Sequence, residues 1–389
     1  MTARAGDRGD RRRHGELRRA GAAGIVIAGG GLAAQRCAET LRRAGYDGPI
    51  RMVCGEPRAP YDRPPLSKAV LAGAEAEADL GFRHGAWYEE QEIDLLLGRH
   101  AIALDCERRE LRLVGGEAYE QLLIATGSRP RRLAALDRFR NVHTLRTVDD
   151  ARALRGALAA GGRLVVVGAG FIGQEVAVAA TRAGLHTTIV ETAAAPLQAL
   201  LGTSVGSWFA DLHRSHGVEV LLGAEIAGAQ GDRGVETLIL RDGRRLACDH
   251  VVVGIGVDPD VGWLSGSGLD PLRVRVDEDG RTSAPGVFAA GDATGGGHWE
   301  SAARQGAAAA RAMLGLDRAR TAPASFWSDL YDTRVQYLGH AALADGTTID
   351  GDPAARDFRL TFTRAGAPVA VLLVGRPHEL PTARALLAA

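Results

Sequence analysis

The chain has 389 residues, a length suited to two or three domains with a sizeable buried core. Hydrophobic residues make up 46%, charged residues 24%, and the formal net charge is +0, which excludes general disorder and a strongly basic nucleic-acid binder. Apolar runs such as Gly24 to Ala28 and Leu164 to Val167 are strand-sized. They fall well short of the roughly 18 to 20 residues a membrane-spanning helix needs, so neither nucleic acid nor a membrane is an expected partner.

The four cysteines, Cys37, Cys54, Cys106 and Cys248, stand far apart, with no C-x-x-C and no Cys/His pair at zinc-ligand spacing. Neither a metal centre nor dithiol chemistry is expected. Aromatic residues reach only 5% against 51 glycines, a balance that suits a parallel sheet with many tight turns and points to an α/β fold. Lysine occurs once, at Lys68, and arginine supplies every other basic position among the 47.

In chain order, residues 1–20 hold seven arginines against Asp7, Asp10 and Glu16 and almost no apolar side chain, the composition of a solvated tail. They show neither the apolar core of a signal peptide nor the acid-poor composition of a transit peptide, so a cytoplasmic protein is expected. From Gly24 the pattern is strand (Ile25 to Ala28), glycine turn (Gly29 to Gly31), helix (Leu32 to Ala44) and strand (Ile50 to Cys54), one βαβ unit. The pattern recurs at Arg163 to Val167, Gly168 to Gly170, Phe171 to Ala183 and Thr187 to Val190, so two nucleotides are implied. Between the two units, Tyr119 to Thr126 reads as a buried strand and Asp149 to Leu158 as a helix. His250 to Ile255 is another strand, Ser301 to Leu314 an alanine-rich helix, and Pro323 a boundary. Phe358 to Thr363 and Pro368 to Val374 then read as strands of a small C-terminal domain.

Gly29-x-Gly31-x-x-Ala34 lies between a strand and a helix, where backbone amides meet a pyrophosphate at the positive helix end. Glu56 ends the next strand, the place of an acid that accepts ribose hydroxyls. Gly168-x-Gly170-x-x-Gly173 with Glu191 is the stricter form of the same device. A carboxylate there bonds a 2′-hydroxyl and repels a 2′-phosphate, and Thr192 to Ala195 supply no arginine, so NADH is expected over NADPH.

Six segments, Tyr61-Asp62-Arg63-Pro64-Pro65-Leu66-Ser67-Lys68, Leu123 to Gly127, Gly168 to Glu175, Gly254 to Val257, Phe288 to Asp292 and Trp299, stand in one order along the chain. In them the sequence resembles the FAD-dependent, NADH-utilising ferredoxin reductases that serve oxygenases, from about Gly24 to Leu380. The proline-rich string is the specific element, since the disulfide reductases of the wider fold place cysteines near that position. The resemblance implies a glutathione-reductase-like flavoprotein with two dinucleotide-binding domains and a small α+β C-terminal domain. Its expected parts are an FAD domain of residues 21–126 and 256–322, an NADH domain of residues 127–255, and a C-terminal domain of residues 323–389.

For FAD the implied residues are Gly29, Gly31, Leu32, Ala33 and Ala34 of the first turn, Glu56, Arg63 and Lys68. Ala125, Thr126, Gly127, Arg131, Gly291 and Asp292 follow, with Trp299 and Trp327 near the ring. For NADH they are Gly168, Gly170, Phe171, Ile172, Gly173, Glu175, Glu191, Gly254, Ile255 and Gly256. Lys68 with Glu175 is the candidate catalytic pair, because a fixed cation favours the negative charge that a reduced flavin carries around N1 and C2=O. Asp292 has a plainer reading as a helix N-cap, and Trp299 as core filling.

The expected reaction is hydride transfer from NADH to FAD, then single electrons to a 2Fe-2S ferredoxin that supplies a haem or non-haem oxygenase. The protein is expected as a monomer or homodimer. Two other readings use the same scaffold: a flavin-dependent oxidase or dehydrogenase of a small molecule, and a non-catalytic redox-sensing flavoprotein. The stretch Thr294 to His298 is short and glycine-rich, and the chain after Pro377 looks abbreviated. Arg129, Arg131, Arg132, Arg304 and Arg334 are candidates for docking an acidic ferredoxin.

Overall fold

A computed structural model describes residues 24–73, 80–113, 117–295, 299–318 and 325–387. The expected tail of residues 1–20, and Gly296, Gly297 and His298 of the glycine-rich stretch, lie outside these residues. The chain folds into two compact units. The first comprises the described residues of Met1–Tyr61, Gly81–Gly127 and Pro259–Ala319, the second those of Asp62–Leu80, Ser128–Asp258 and Arg320–Ala389.

In the first unit five parallel strands stand in the order Val287–Ala289, Gln121–Ile124, Ile25–Ala28, Ile50–Cys54, Ile93–Leu97. Side chains alternate across a strand, and both faces of this sheet are covered. Ile25 and Ile27 therefore join one core with Cys37, Leu41 and Met313, while Val26 and Ala28 join another with Leu111, Tyr119 and Leu264. The helix Leu32–Arg43 buries Leu32, Ala33, Ala34, Cys37, Ala38 and Leu41, a stripe at helical spacing. It is crossed by the helix Trp299–Met313, whose buried Gly306, Ala309 and Ala310 permit close approach.

The second unit holds a parallel sheet in the order Glu219–Leu222, His186–Glu191, Arg163–Val167, His250–Val253, Val142–His143. Its C-terminal part is an antiparallel sheet ordered Ser325–Leu330, Thr333–Gly339, Ala367–Val374, Asp357–Arg364, Gly346–Asp352, five strands where the sequence suggested two. Phe358, Leu360 and Phe362 alternate onto one face and pack on Phe209 and Leu212 of the helix Gln198–Ser215. That shared core explains why the C-terminal sheet groups with the nucleotide-binding part. The segment from Asp62 joins the same unit because Arg63 donates to Arg146 O and Ser67 to Glu175. Among the described residues no helix is long and apolar enough to cross a membrane.

Candidate functional site

Each glycine turn follows a parallel strand and passes under a neighbouring backbone. A side chain on Gly29, which has φ +140°, would stand 2.0 Å from Ala125 O. One on Gly168, with φ +101°, would stand 2.4 Å from Gly254 O. Only glycine fits at either position. Gly31 and Gly170 serve as the N-caps of Leu32–Arg43 and Phe171–Arg182, and neither helix start is closed by a side chain. By contrast, Thr147 and Asp150 form a capping box on Val148–Ala160. A side chain on Gly31 would meet nothing within 4 Å, and one on Gly170 only Gly254 O at 4.0 Å. Uncapped amides beside open space are what a dinucleotide pyrophosphate requires, so both turns fit one.

Around the first turn, Tyr61 donates to Glu56 Oε2 (2.6 Å). Thr126 Oγ1 donates to Asp260 O (2.7 Å), and Asp260 N to Gly127 O (2.9 Å). Gly291 N donates to Gln305 Oε1 (2.7 Å). Asp292 lies inside the short 3-10 turn Gly291–Thr294 and is not a helix N-cap, while Trp299 opens the helix Trp299–Met313.

Around the second turn, Glu191 Oε2 accepts from Ala169 N (2.7 Å) and Oε1 from Ala193 N (2.8 Å). The acid expected to read the ribose is thereby held on the turn itself. Gly254 N donates to Val167 O (2.8 Å), Gly256 O accepts from Arg131 N (3.0 Å), and Ile172 is 42% exposed. The Arg131 guanidinium, expected at the flavin, is 2.8 Å from Asp258. Arg132 likewise pairs with Asp137 (2.7 Å) and Arg334 with Asp329 (3.1 Å).

Lys68 and Glu175 meet. Lys68 ends the proline-started turn Pro64–Ser67, and Glu175 sits one turn into Phe171–Arg182. The Lys68 Nζ stands 2.8 Å from Glu175 Oε1, with the carboxylate side chain 5% exposed and the lysine 21%. Ser67 Oγ donates to Glu175 Oε2, and Ser328 Oγ to Oε1 (2.6 Å). The buried carboxylate is thus held by one ammonium and two hydroxyls, the satisfaction that a buried charge demands. Sequence reasoning missed the two serines. Each adjoins a candidate site residue, Lys68 or Trp327, and that adjacency was the only signal available. Trp327 lies on Ser325–Leu330, with the Arg334 guanidinium 5.6 Å from its ring centre, and Phe326 meets Phe171 edge-on at 4.5 Å.

All four cysteines are free. Burial pushes the Cys54 thiol up to about 12 and the Cys248 thiol up to about 11, and raises Cys37 further. Thiols so reluctant to ionise are poor redox nucleophiles.

Residues 23–306 match the pyridine nucleotide-disulphide oxidoreductase family and residues 325–389 the reductase C-terminal family. The ferredoxin–NAD(+) reductase component of the anthranilate 1,2-dioxygenase system of Burkholderia cepacia is 38% identical over 381 residues, covering 94% of this chain and 94% of that protein. Putidaredoxin reductase CamA of Pseudomonas putida is 34% identical over 385 residues, covering 93% and 91%. The solved covalent putidaredoxin reductase–putidaredoxin complex matches with a TM-score of 0.89 at 32% identity, over 94% of this chain and 93% of that one. The chain therefore belongs to the pyridine nucleotide-disulphide oxidoreductase family, among the ferredoxin–NAD(+) reductases that carry a reductase C-terminal domain.

Proposed function

We propose that the protein is an NADH:ferredoxin oxidoreductase of an oxygenase system, with FAD on the first glycine turn and NADH on the second. The observation that carries the reading is the Tyr61–Lys68 string. Where disulfide reductases of this fold hold cysteines, it presents a lysine paired with Glu175 at 2.8 Å. Bound FAD supplies the chemistry of accepting a hydride and releasing electrons singly to a 2Fe-2S ferredoxin, which feeds a haem or non-haem oxygenase. The chain's own residues prepare this. Lys68, fixed by Glu175, supplies positive potential that needs no reorganisation during transfer, while Ser67 and Ser328 fix the carboxylate in turn. Glu191 bonds the ribose 2′-hydroxyl of NADH and repels a 2′-phosphate. Because NADH is the reductant, the proposed place of action is the cytoplasm.

Stopped-flow reduction by NADH tests the assignment, followed by ferredoxin-dependent reduction of cytochrome c. Lys68→Ala and Glu175→Gln are expected to slow flavin reduction about ten- to thirtyfold while FAD stays bound. Lys68→Arg should impair it too, because a planar fork does not replace a compact ammonium. Wild-type protein that NADH does not reduce would end the reading. Wild-type rates in either Lys68→Ala or Glu175→Gln would remove the pair's catalytic role.

A further inference from the structure

Glu175 has a neighbour on the same helix that faces elsewhere. Gln174 is 0% exposed, and its Nε2 donates to Ala169 O (3.0 Å) in the second glycine turn. Its Oε1 lies 3.2 Å from His213 Nε2, and His213 Nδ1 lies 2.9 Å from Tyr331 Oη. His213, also 0% exposed, comes from Gln198–Ser215, and Tyr331 forms the tip between the strands Ser325–Leu330 and Thr333–Gly339. Three separate elements thus meet in one buried polar line.

The donors along that line can be ordered from one end. A carbonyl only accepts, so Gln174 gives Ala169 its amide hydrogen and turns its oxygen to His213. His213 must then donate from Nε2, and as a neutral ring it accepts at Nδ1 from the Tyr331 hydroxyl. A neutral imidazole satisfies every member, and Thr181 is a further hydrogen-bond partner of Tyr331. Burial pushes His213 down to about 4, which keeps it neutral at ordinary pH. Tyr331 is itself held in place: His216 stacks on its ring at 3.6 Å, and Arg182 donates to its carbonyl.

The consequence lies in the plane of one peptide. Ala169 C=O and Gly170 N–H belong to the same rigid unit, so fixing the carbonyl fixes the direction of the amide at the helix start. The preceding peptide is fixed through Ala169 N, which Glu191 binds at 2.7 Å. We propose that Gln174, His213 and Tyr331 are positioning residues for NADH, aiming the Gly170 amide at the pyrophosphate and making nucleotide affinity depend on the seating of the first hairpin of the C-terminal sheet. The inference rests on the second turn being the NADH site.

Tyr331→Phe removes the terminal donor but keeps the ring, and Gln174→Met removes the middle link. Each is expected to raise the Kd for NADH about five- to tenfold, the worth of one or two buried hydrogen bonds. The limiting rate of flavin reduction at saturating NADH should change less than about twofold, and FAD content should not change. In the double variant the losses should be less than additive, because both sever one line. Wild-type affinity in Tyr331→Phe, a lowered limiting rate at unchanged Kd, or additive losses would each overturn the relay. If wild-type protein is not reduced by NADH, the functional reading fails instead, so the two failures are distinguishable.

Discussion

The two units open a helix with related glycine turns, but they achieve tightness by different means. In the second turn the third position must be glycine, because a side chain at Gly173 would stand 2.1 Å from Gly168 O. In the first turn that position is Ala34, buried without conflict, and the close approach has moved to another helix, where a side chain at Gly306 would stand 2.1 Å from Ala33 O. The acids differ in the same sense. Glu191 grips the amide of its own turn, whereas Glu56 is held by the Tyr61 hydroxyl. The second turn makes its tight contact within itself, and Glu191 and the Gln174–His213–Tyr331 line steady it from outside. The first makes its tight contact with a helix from a distant stretch of the chain.

The sharpest way to break this contrast is to exchange its two glycines for alanine. A methyl pressed into a backbone carbonyl at 2.1 Å forces a shift that costs about 3 kcal/mol, or more than a hundredfold in an equilibrium. Gly173→Ala should purify yellow, with full FAD, yet be reduced by NADH at least a hundredfold more slowly at a fixed NADH concentration. Gly306→Ala should purify with substoichiometric FAD. Absorbance of the released flavin and stopped-flow reduction read the two outcomes. Full FAD in Gly306→Ala would refute the division of labour, and so would equal FAD loss in both variants.

How much of this was readable beforehand depends on how local each feature is. The strand Ile50–Cys54 and both glycine-capped helices coincide closely with their apolar runs and turn signals, because neighbours in sequence determine them. The Lys68–Glu175 pairing followed from two segments that each carry a motif. Ser67 and Ser328 did not, because their role appears only when three distant segments converge on one carboxylate. The Gln174–His213–Tyr331 line was hidden for the same reason, since a buried histidine on a helix carries no mark in its spacing. Gly306 read merely as part of an alanine-rich helix, although its partner is a backbone oxygen. The Arg131–Asp258 pair joins two exposed residues 127 positions apart in sequence, and charge counting cannot find it.

Acid should separate the units next. In the second, His213 has its pKa lowered from the ordinary 6.5 to about 4, first by burial and then by His216. His143 is lowered too, by burial and by His250. An unfolded chain therefore takes up these protons before the native one does, so stability falls as pH drops from 6.5 toward 4 and is unaffected by them above that window. For His213 the loss is at most about 3 kcal/mol. In the first unit the buried carboxylate is Glu39. Burial raises it, but hydrogen bonds from Gln35 and Arg36 and the charges of Arg36 and Arg83 outweigh that and leave it below 4.5. Its contribution is present above 4.5 and lost only as pH falls further. The stability of the second unit should thus fall between pH 6 and 4.5, so that NADH binding is lost by unfolding before FAD is released at lower pH. Simultaneous loss of both would contradict the ordering.

A smaller effect is expected at the acid of the second turn. Wild-type kcat/KM for NADH should exceed that for NADPH by tenfold or more, about 1.4 kcal/mol. Glu191→Ala should narrow the ratio and also weaken NADH binding, because it frees the amides of Ala169 and Ala193. Glu56→Gln should leave that ratio untouched. An unchanged ratio in Glu191→Ala would show that the acid supports the turn without reading the nucleotide.

The smallest effect concerns the ferredoxin, and here the structure tempers what the arginines suggested. Arg131, Arg132 and Arg334 each face a carboxylate, Asp258, Asp137 or Asp329, and all six side chains are exposed. Charges neutralised at contact distance leave little field beyond a Debye length of about 8 Å, and steering depends on the net field, not on the number of cations. Electron transfer to an acidic 2Fe-2S ferredoxin should therefore fall only about two- to threefold between low and physiological salt, with NADH–ferricyanide turnover nearly flat. Replacing Asp258 and Asp329 by Asn would uncover two positive charges, and the salt dependence should then steepen as encounter quickens at low ionic strength. Ferredoxin-dependent cytochrome c reduction across a salt series measures both. A steep wild-type profile that these substitutions leave unaltered would mean that other residues carry the docking charge.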